Sequence, residues 1–239
     1  MATEREDLEA TIADLERTLA DAPPEMRGML EEQLTTLRGL LPAVDRIAAA
    51  QEENRRHRPA IPPELVGFFR PEAPVVVPTW VPDEVTRRQV DEGMLRCPPG
   101  AAVYAQEDAV GCALPPPLGG IPVRHGLTLF FHPSGRLSAQ RSYEHGLLRW
   151  NVSYHASGSR ASQGYYADRA PHEQRQHGLH TSFSPGGAIT SQSWYHDGAL
   201  HGWSKHWEED GSPIGATRYE HGAQAETILP DGQRRALRA

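Results

Sequence analysis

The sequence predicts an α+β protein: an N-terminal α-helical hairpin followed by an elongated antiparallel β-meander of hairpin repeats. Three observations predict it. Leucines recur at helical spacing through the first 41 residues, 13 of the 21 prolines fall within residues 59–124, and one pattern of glycines and aromatics returns four times after His125. The expected division is a coiled-coil-like helical hairpin over 1–58, a proline-rich connector over 59–120, and β-hairpin repeats over 121–234, four copies plus a stub.

Leu8, Ile12, Leu15 and Leu19 are spaced 4, 3 and 4, which places them on one helix face. Pro23-Pro24 stops that helix and opens the next, because proline suits a first helical turn. Met26, Leu30, Leu34, Leu37 and Leu41 form the second stripe, and Pro42 is expected to end or kink it before a third piece from Val44 to Arg56. Two stripes joined by a short turn predict an antiparallel hairpin. Either the stripes bury each other or dock on the rest of the chain, or Leu8, Ile12, Leu15, Leu19, Leu30, Leu34, Leu37 and Leu41 bind a partner or a second copy.

In the connector, proline removes ladder donors and holds its predecessor extended. An extended segment is expected, carrying short strands or one helix over Asp83 to Glu92, with "ELVGFF" and Trp80 as apolar anchors. Cys97 and Cys112 cannot make a four-ligand zinc site alone. Free thiols suit a reducing compartment, and a disulfide closing the intervening loop is the alternative.

The repeats are read by counting from Gly126. Glycine falls at +9 (Gly135), tyrosine at +17 (Tyr143) and glycine at +20 (Gly146), and the same columns recur from Arg149, Gly178 and Gly202. The second copy departs by carrying Arg149 and Arg169 where the others have boundary glycines. Position +5 is aromatic in every copy (Phe131, Tyr154, Phe183, Trp207), and +1 is large and apolar (Leu127, Trp150, Leu179, Trp203). Starts are separated by 23, 29 and 24 residues, which puts an insertion near Asp168 to Gln176, and Thr227 to Gly232 form the stub. Periods of this size signal repeat architecture. Positions +1, +3 and +5 share one strand face. Phe131, Trp150, Tyr154, Phe183, Trp203 and Trp207 therefore make an aromatic face, either core or binding groove.

Hairpins with these columns resemble MORN repeats, most closely the bacterial MORN-variant repeats of toxin–antitoxin-like proteins. The resemblance covers residues 121–232 and implies an extended interaction sheet with no active site. It also implies the disulfide reading of "RCPPGAAVYAQEDAVGC", since a two-cysteine segment precedes the repeats in some relatives. Membrane binding in the family goes with basic patches. Here residues 121–232 hold 9 basic and 10 acidic residues, so no membrane partner is expected.

A net charge of −7 argues against nucleic acid. Eleven of the twelve histidines lie at or after His125, five of them before glycine at repeat boundaries, where they read as solvated strand-end residues, since sites two repeat lengths apart cannot converge on one ion. "EED" at Glu208 to Asp210 reads as a solvated turn rather than an acid–base pair. No nucleophile elbow, phosphate loop or zinc-protease pair occurs. No catalytic residue, cofactor or metal is expected. The charged N-terminus lacks a signal-peptide core and no apolar run spans a bilayer, so a bacterial cytoplasmic location is expected. The function expected is a non-enzymatic protein–protein interaction scaffold. The alternative is an antitoxin or immunity protein whose first 58 residues, 13 acidic and 8 basic, neutralise a basic toxin.

Overall fold

The computed structural model describes residues 4–56, 60–76, 81–116, 120–170 and 173–236. The chain divides after Ala60 into two compact units.

The first unit is two helices, α1 (Glu4–Asp21) and α2 (Pro24–Arg56). Their leucine stripes form a common seam in which Ile12, Leu30 and Leu34 are buried and Leu8, Leu15, Leu19, Leu37 and Leu41 half-buried. Arg5 pairs with Asp45 and Arg38 with Glu16, both at 2.5 Å, so the helices run antiparallel. Exposed pairs of this kind stabilise little, and the apolar seam carries the hairpin. Of the two outcomes expected of Pro42, termination is overturned. Pro42 lies inside α2 and does not end it. Pro42 and Arg38 are themselves exposed, so water can satisfy the Arg38 carbonyl that loses its partner.

The second unit is a twelve-stranded antiparallel sheet, among the described residues, with its strands in sequence order. A first hairpin, β1 (Ala102–Ala105) and β2 (Ala109–Leu114), precedes the repeats. Four repeat hairpins follow: β3 (Val123–Phe131) with β4 (Leu137–Glu144), β5 (Leu147–Tyr154) with β6 (Arg160–Ala170), β7 (Glu173–Phe183) with β8 (Ile189–His196), and β9 (Ala199–Trp207) with β10 (Pro213–Glu220). The stub supplies β11 (Ala223–Ile228) and β12 (Arg234–Ala236).

Two turn types alternate along this meander. Within each repeat a three-residue loop closes as the +9 glycine N–H bonds back three residues, for example Gly135 to the His132 carbonyl at 2.8 Å. Gly135 has φ 81°, the left-handed conformation such loops need. Between repeats, His145-Gly146, Asp197-Gly198 and His221-Gly222 take positive φ at both positions, as two-residue hairpin turns require. Among the described residues the insertion is strand. It lengthens β6 and β7 to 11 residues each, paired as far as Ala170 and Glu173.

Cys97 and Cys112 form a disulfide, which overturns the free-thiol reading. Cys112 is fully buried in β2, and the bridge pins the segment entering β1 to the sheet. The helix expected over Asp83–Glu92 is shorter and later. It comprises α4 (Arg87–Gln89) and a π-helical turn (Val90–Met94), because Thr86 and Gln89 form a capping box that sets the start. A further short helix, α3 (Pro63–Val66), lies in the "ELV" stretch. Trp80 lies outside the described residues.

Candidate interaction surfaces

The connector is a strap across one sheet face. Leu65 and Phe69 pack with Ala216, Ile228 and Trp203 at the late strands. Val81, Val85, Val90 and Leu95 pack on Leu127, Leu129, Trp150, Val152 and Tyr154 at the early ones. The strap thus runs opposite to the order in which the strands are laid down, then enters β1.

Its polar contacts follow from its composition. Prolines remove N–H donors and leave carbonyls in excess, so the sheet must supply donors. Lys205 Nζ donates to the Phe68 carbonyl (2.8 Å) and Trp207 Nε1 to that of Phe69 (2.7 Å). Gln192 Nε2 donates to the Glu72 carbonyl while its Oε1 accepts from the Glu72 N–H, both at 2.8 Å. Gln163 donates to Val75, the Tyr165 hydroxyl to Val76, and Gln140 to Val81. Tyr154 donates to Asp83, which also receives Arg160 at 2.9 Å. Burial, reinforced by Asp83, holds the Tyr154 hydroxyl well above the usual phenol range. Burial lowers Lys205.

Gln140, Gln163 and Gln192 all stand at repeat position +14, and all three are buried. The column was readable in the sequence but carries no aromatic or glycine mark. In the fourth copy the position is Ala216, where Leu65 and Phe69 need room.

Of the aromatic face, Phe131, Trp150, Tyr154 and Trp207 are buried, Trp203 meets Phe68 edge-on at 4.9 Å, and Phe183 is half-buried. Phe131, Trp150, Tyr154 and Trp207 are therefore core beneath the strap, the first of the two alternatives that the repeat pattern left open.

The opposite face carries a continuous polar lane. Thr128, Arg141, Asn151 and Gly164 are register neighbours across β3–β6. His180, Ser193, Ser204, Thr217 and Thr227 continue it across β7–β11. Its side chains pair across strands: Arg141 with Asn151 (3.0 Å), Ser193 with Ser204 (2.7 Å), Thr217 with Thr227 (3.3 Å). The +17 tyrosines rim it, and His180 stands edge-on between Tyr166 and Tyr195. Burial lowers the His180 pKa, partly countered by its hydrogen bond with the Tyr165 carbonyl.

The histidines at the repeat boundaries stand next to one another. His125 meets His145 at a tilt, with ring centres 4.6 Å apart, and His177, His196, His201 and His221 follow one another at 4.9–5.9 Å. Position −1 of a copy lies beside position +19 in the first and fourth copies and beside +18 in the third, so the rings meet. Among the described residues no three His, Cys, Asp or Glu side chains gather as metal ligands would.

On the helical hairpin, burial of Ile12, Leu30 and Leu34 in the seam removes them as docking residues. What α2 exposes instead is Met26, Met29, Leu40 and Ile47, each about half accessible. Together with Gln33, Thr36 and Ala43 they are spaced 3, 4, 3, 4, 3 and 4. No helix is long and apolar enough to cross a membrane, among the described residues.

No family model matches the sequence, and no curated protein matches it. The chain is similar to one in the crystal structure of accessory secretory protein 1, 2 and 3 of Streptococcus pneumoniae, with 10% identity and TM-score 0.27 over 56% of this chain and 20% of that one. It is also similar to one in the glycosylation-associated protein (Gap123) complex of Streptococcus agalactiae, with 16% identity and TM-score 0.25 over 61% and 22%. A third likeness is to TarM, with 9% identity and TM-score 0.25 over 63% and 26%. The chain spans between 20% and 26% of these structures' lengths, and likeness at this level assigns neither family nor activity.

Proposed function

We propose that the protein is a non-enzymatic interaction scaffold, with a MORN-type repeat sheet as platform and the helical hairpin as the self-association element. The carrying observation is the second stripe on α2. Met26, Met29, Leu40 and Ile47 stay exposed at heptad spacing after the seam is satisfied, which is the pattern of a helix with one face still to bury. The polar Gln33 and Thr36 at its centre suit a register-setting contact between copies. Light scattering of the full chain tests this. A concentration-dependent dimer is expected that Leu40→Glu with Ile47→Glu converts to monomer; a strict monomer at high concentration removes the reading.

A second reading is favoured by charge. The excess of acid before Pro59 suits capture of a basic protein, as an antitoxin or immunity protein would. Co-expression with a toxin-like neighbouring reading frame should restore growth, and deletion of residues 1–58 should abolish the rescue. The compartment is part of the proposal. A structural disulfide persists where conditions are oxidising, so Cys97–Cys112 weighs against the cytoplasmic expectation.

A further inference from the structure

The polar lane ends in a concave site that neither reading uses. Arg124 on β3 and Arg141 on β4 line one cavity of about 1150 Å³ with Tyr104, Tyr143 and His145. Both guanidiniums stand over the same Phe130 ring, Arg141 at 4.5 Å and Arg124 at 5.4 Å from its centre. Arg124 is held further by its Nε, which donates to the Tyr104 hydroxyl (2.7 Å), and by a bond to the Tyr143 hydroxyl (3.2 Å). Arg141 Nε donates to Asn151, which orients the fork.

Every partner here is neutral. Among the described residues no carboxylate pairs with either arginine, although acidic residues outnumber basic ones in the chain. Two like charges gathered on one ring repel each other, and an anion between them would relieve that cost. Guanidinium forks match the oxygens of phosphate in geometry and charge, and two of them match a dianion. The remaining wall is mostly apolar: Ile121, Pro122, Val123 and Ala105, with Gln106 and Gly146 beside them and Ile121 87% exposed.

We propose that this cavity binds a phosphate monoester with an apolar or aromatic body, the phosphate held by Arg124 and Arg141 and the body lying along Tyr104 and Ile121–Val123. The site stands independently of the self-association and toxin-capture readings, since none of its residues belongs to the hairpin.

Calorimetric titration of the full chain at low salt tests it, with phenyl phosphate, inorganic phosphate and phenol as probes. Saturable 1:1 binding of phenyl phosphate is expected, with phenol silent and inorganic phosphate weaker. Arg124→Gln and Arg141→Gln should each weaken it about tenfold or more, the loss of a charge-assisted bond. Arg141→Lys should fall between, since it keeps charge and loses the fork. If Arg124→Gln unfolds, judged by circular dichroism, Arg141→Gln decides. Sedimentation with vesicles containing phosphatidate separates the two sources of the headgroup: tighter binding to vesicles assigns it to a lipid, tighter binding to phenyl phosphate to a soluble ester. No binding of either, equal binding of phenol, or binding unchanged in both glutamine variants overturns the site.

Discussion

The two faces of the sheet share one backbone and one register, yet they solve opposite problems. Beneath the strap, buried and half-buried donors meet the surplus carbonyls of a proline-rich segment: Gln140, Gln163 and Gln192, Lys205 and Trp207. On the other face, hydroxyls and amides satisfy one another across neighbouring strands, as Ser193 does with Ser204. The strapped face is therefore specified by a sequence 59 to 138 residues away, whereas the open face is specified locally. Strap-side substitutions should cost stability, and open-face substitutions should cost little unless they touch a close backbone approach.

The largest expected effect is at Trp207, 2% exposed and bonded to the Phe69 carbonyl. Trp207→Ala should lose about 3–5 kcal/mol in chemical denaturation. A loss no larger than that of Ser193→Ala would mean the strap does not hold the sheet. Next is the disulfide, whose cysteines are 15 positions apart. Its reduction should lower stability by about 3 kcal/mol, read as a drop in denaturation midpoint with and without dithiothreitol. An unchanged midpoint would show that the β1–β2 end needs no staple.

Gly164 is the open face's exception. A Cβ there would lie 2.2 Å from His180 Nδ1, and that ring is held between Tyr166 and Tyr195. Gly164→Ala should destabilise by about 1–3 kcal/mol, and a neutral result would show that His180 can turn away. Gln192→Leu should cost about 1–3 kcal/mol by stranding both backbone groups of Glu72; hydrogen exchange at Glu72 would report the release.

The smallest effect is in pH. Burial lowers the folded-state pKa of His180, so the folded protein prefers the neutral ring. This stability is fully present above the unfolded value of about 6.5 and is lost as pH falls through the lowered folded value. His180→Gln should flatten that part of the stability profile, and an unchanged slope would place the titration elsewhere.

Much of this was legible because it is local. Leucines at spacing 4 and 3 define helices, and glycines at +9 define tight turns, through backbone preferences that act over a few residues. The glutamine column was legible only in part. Three residues at +14 repeat openly, but nothing near them in the chain indicates that their partners are carbonyls of Glu72, Val75 and Val81. The pairing of Arg124 with Arg141 was hidden for a similar reason, since 17 positions separate them and only the β3–β4 register brings both to Phe130.

By itself, then, the sequence determined the helical hairpin, the order of the strands, the turn positions and the alternation that separates the two faces. Only the tertiary structure decided which face the connector covers, that Cys97 meets Cys112, that Pro42 rides within a helix, and that two arginines share one cavity. Periodicity is set by bonds between near neighbours, whereas these outcomes depend on which distant groups compete for the same buried donors, acceptors and apolar surface.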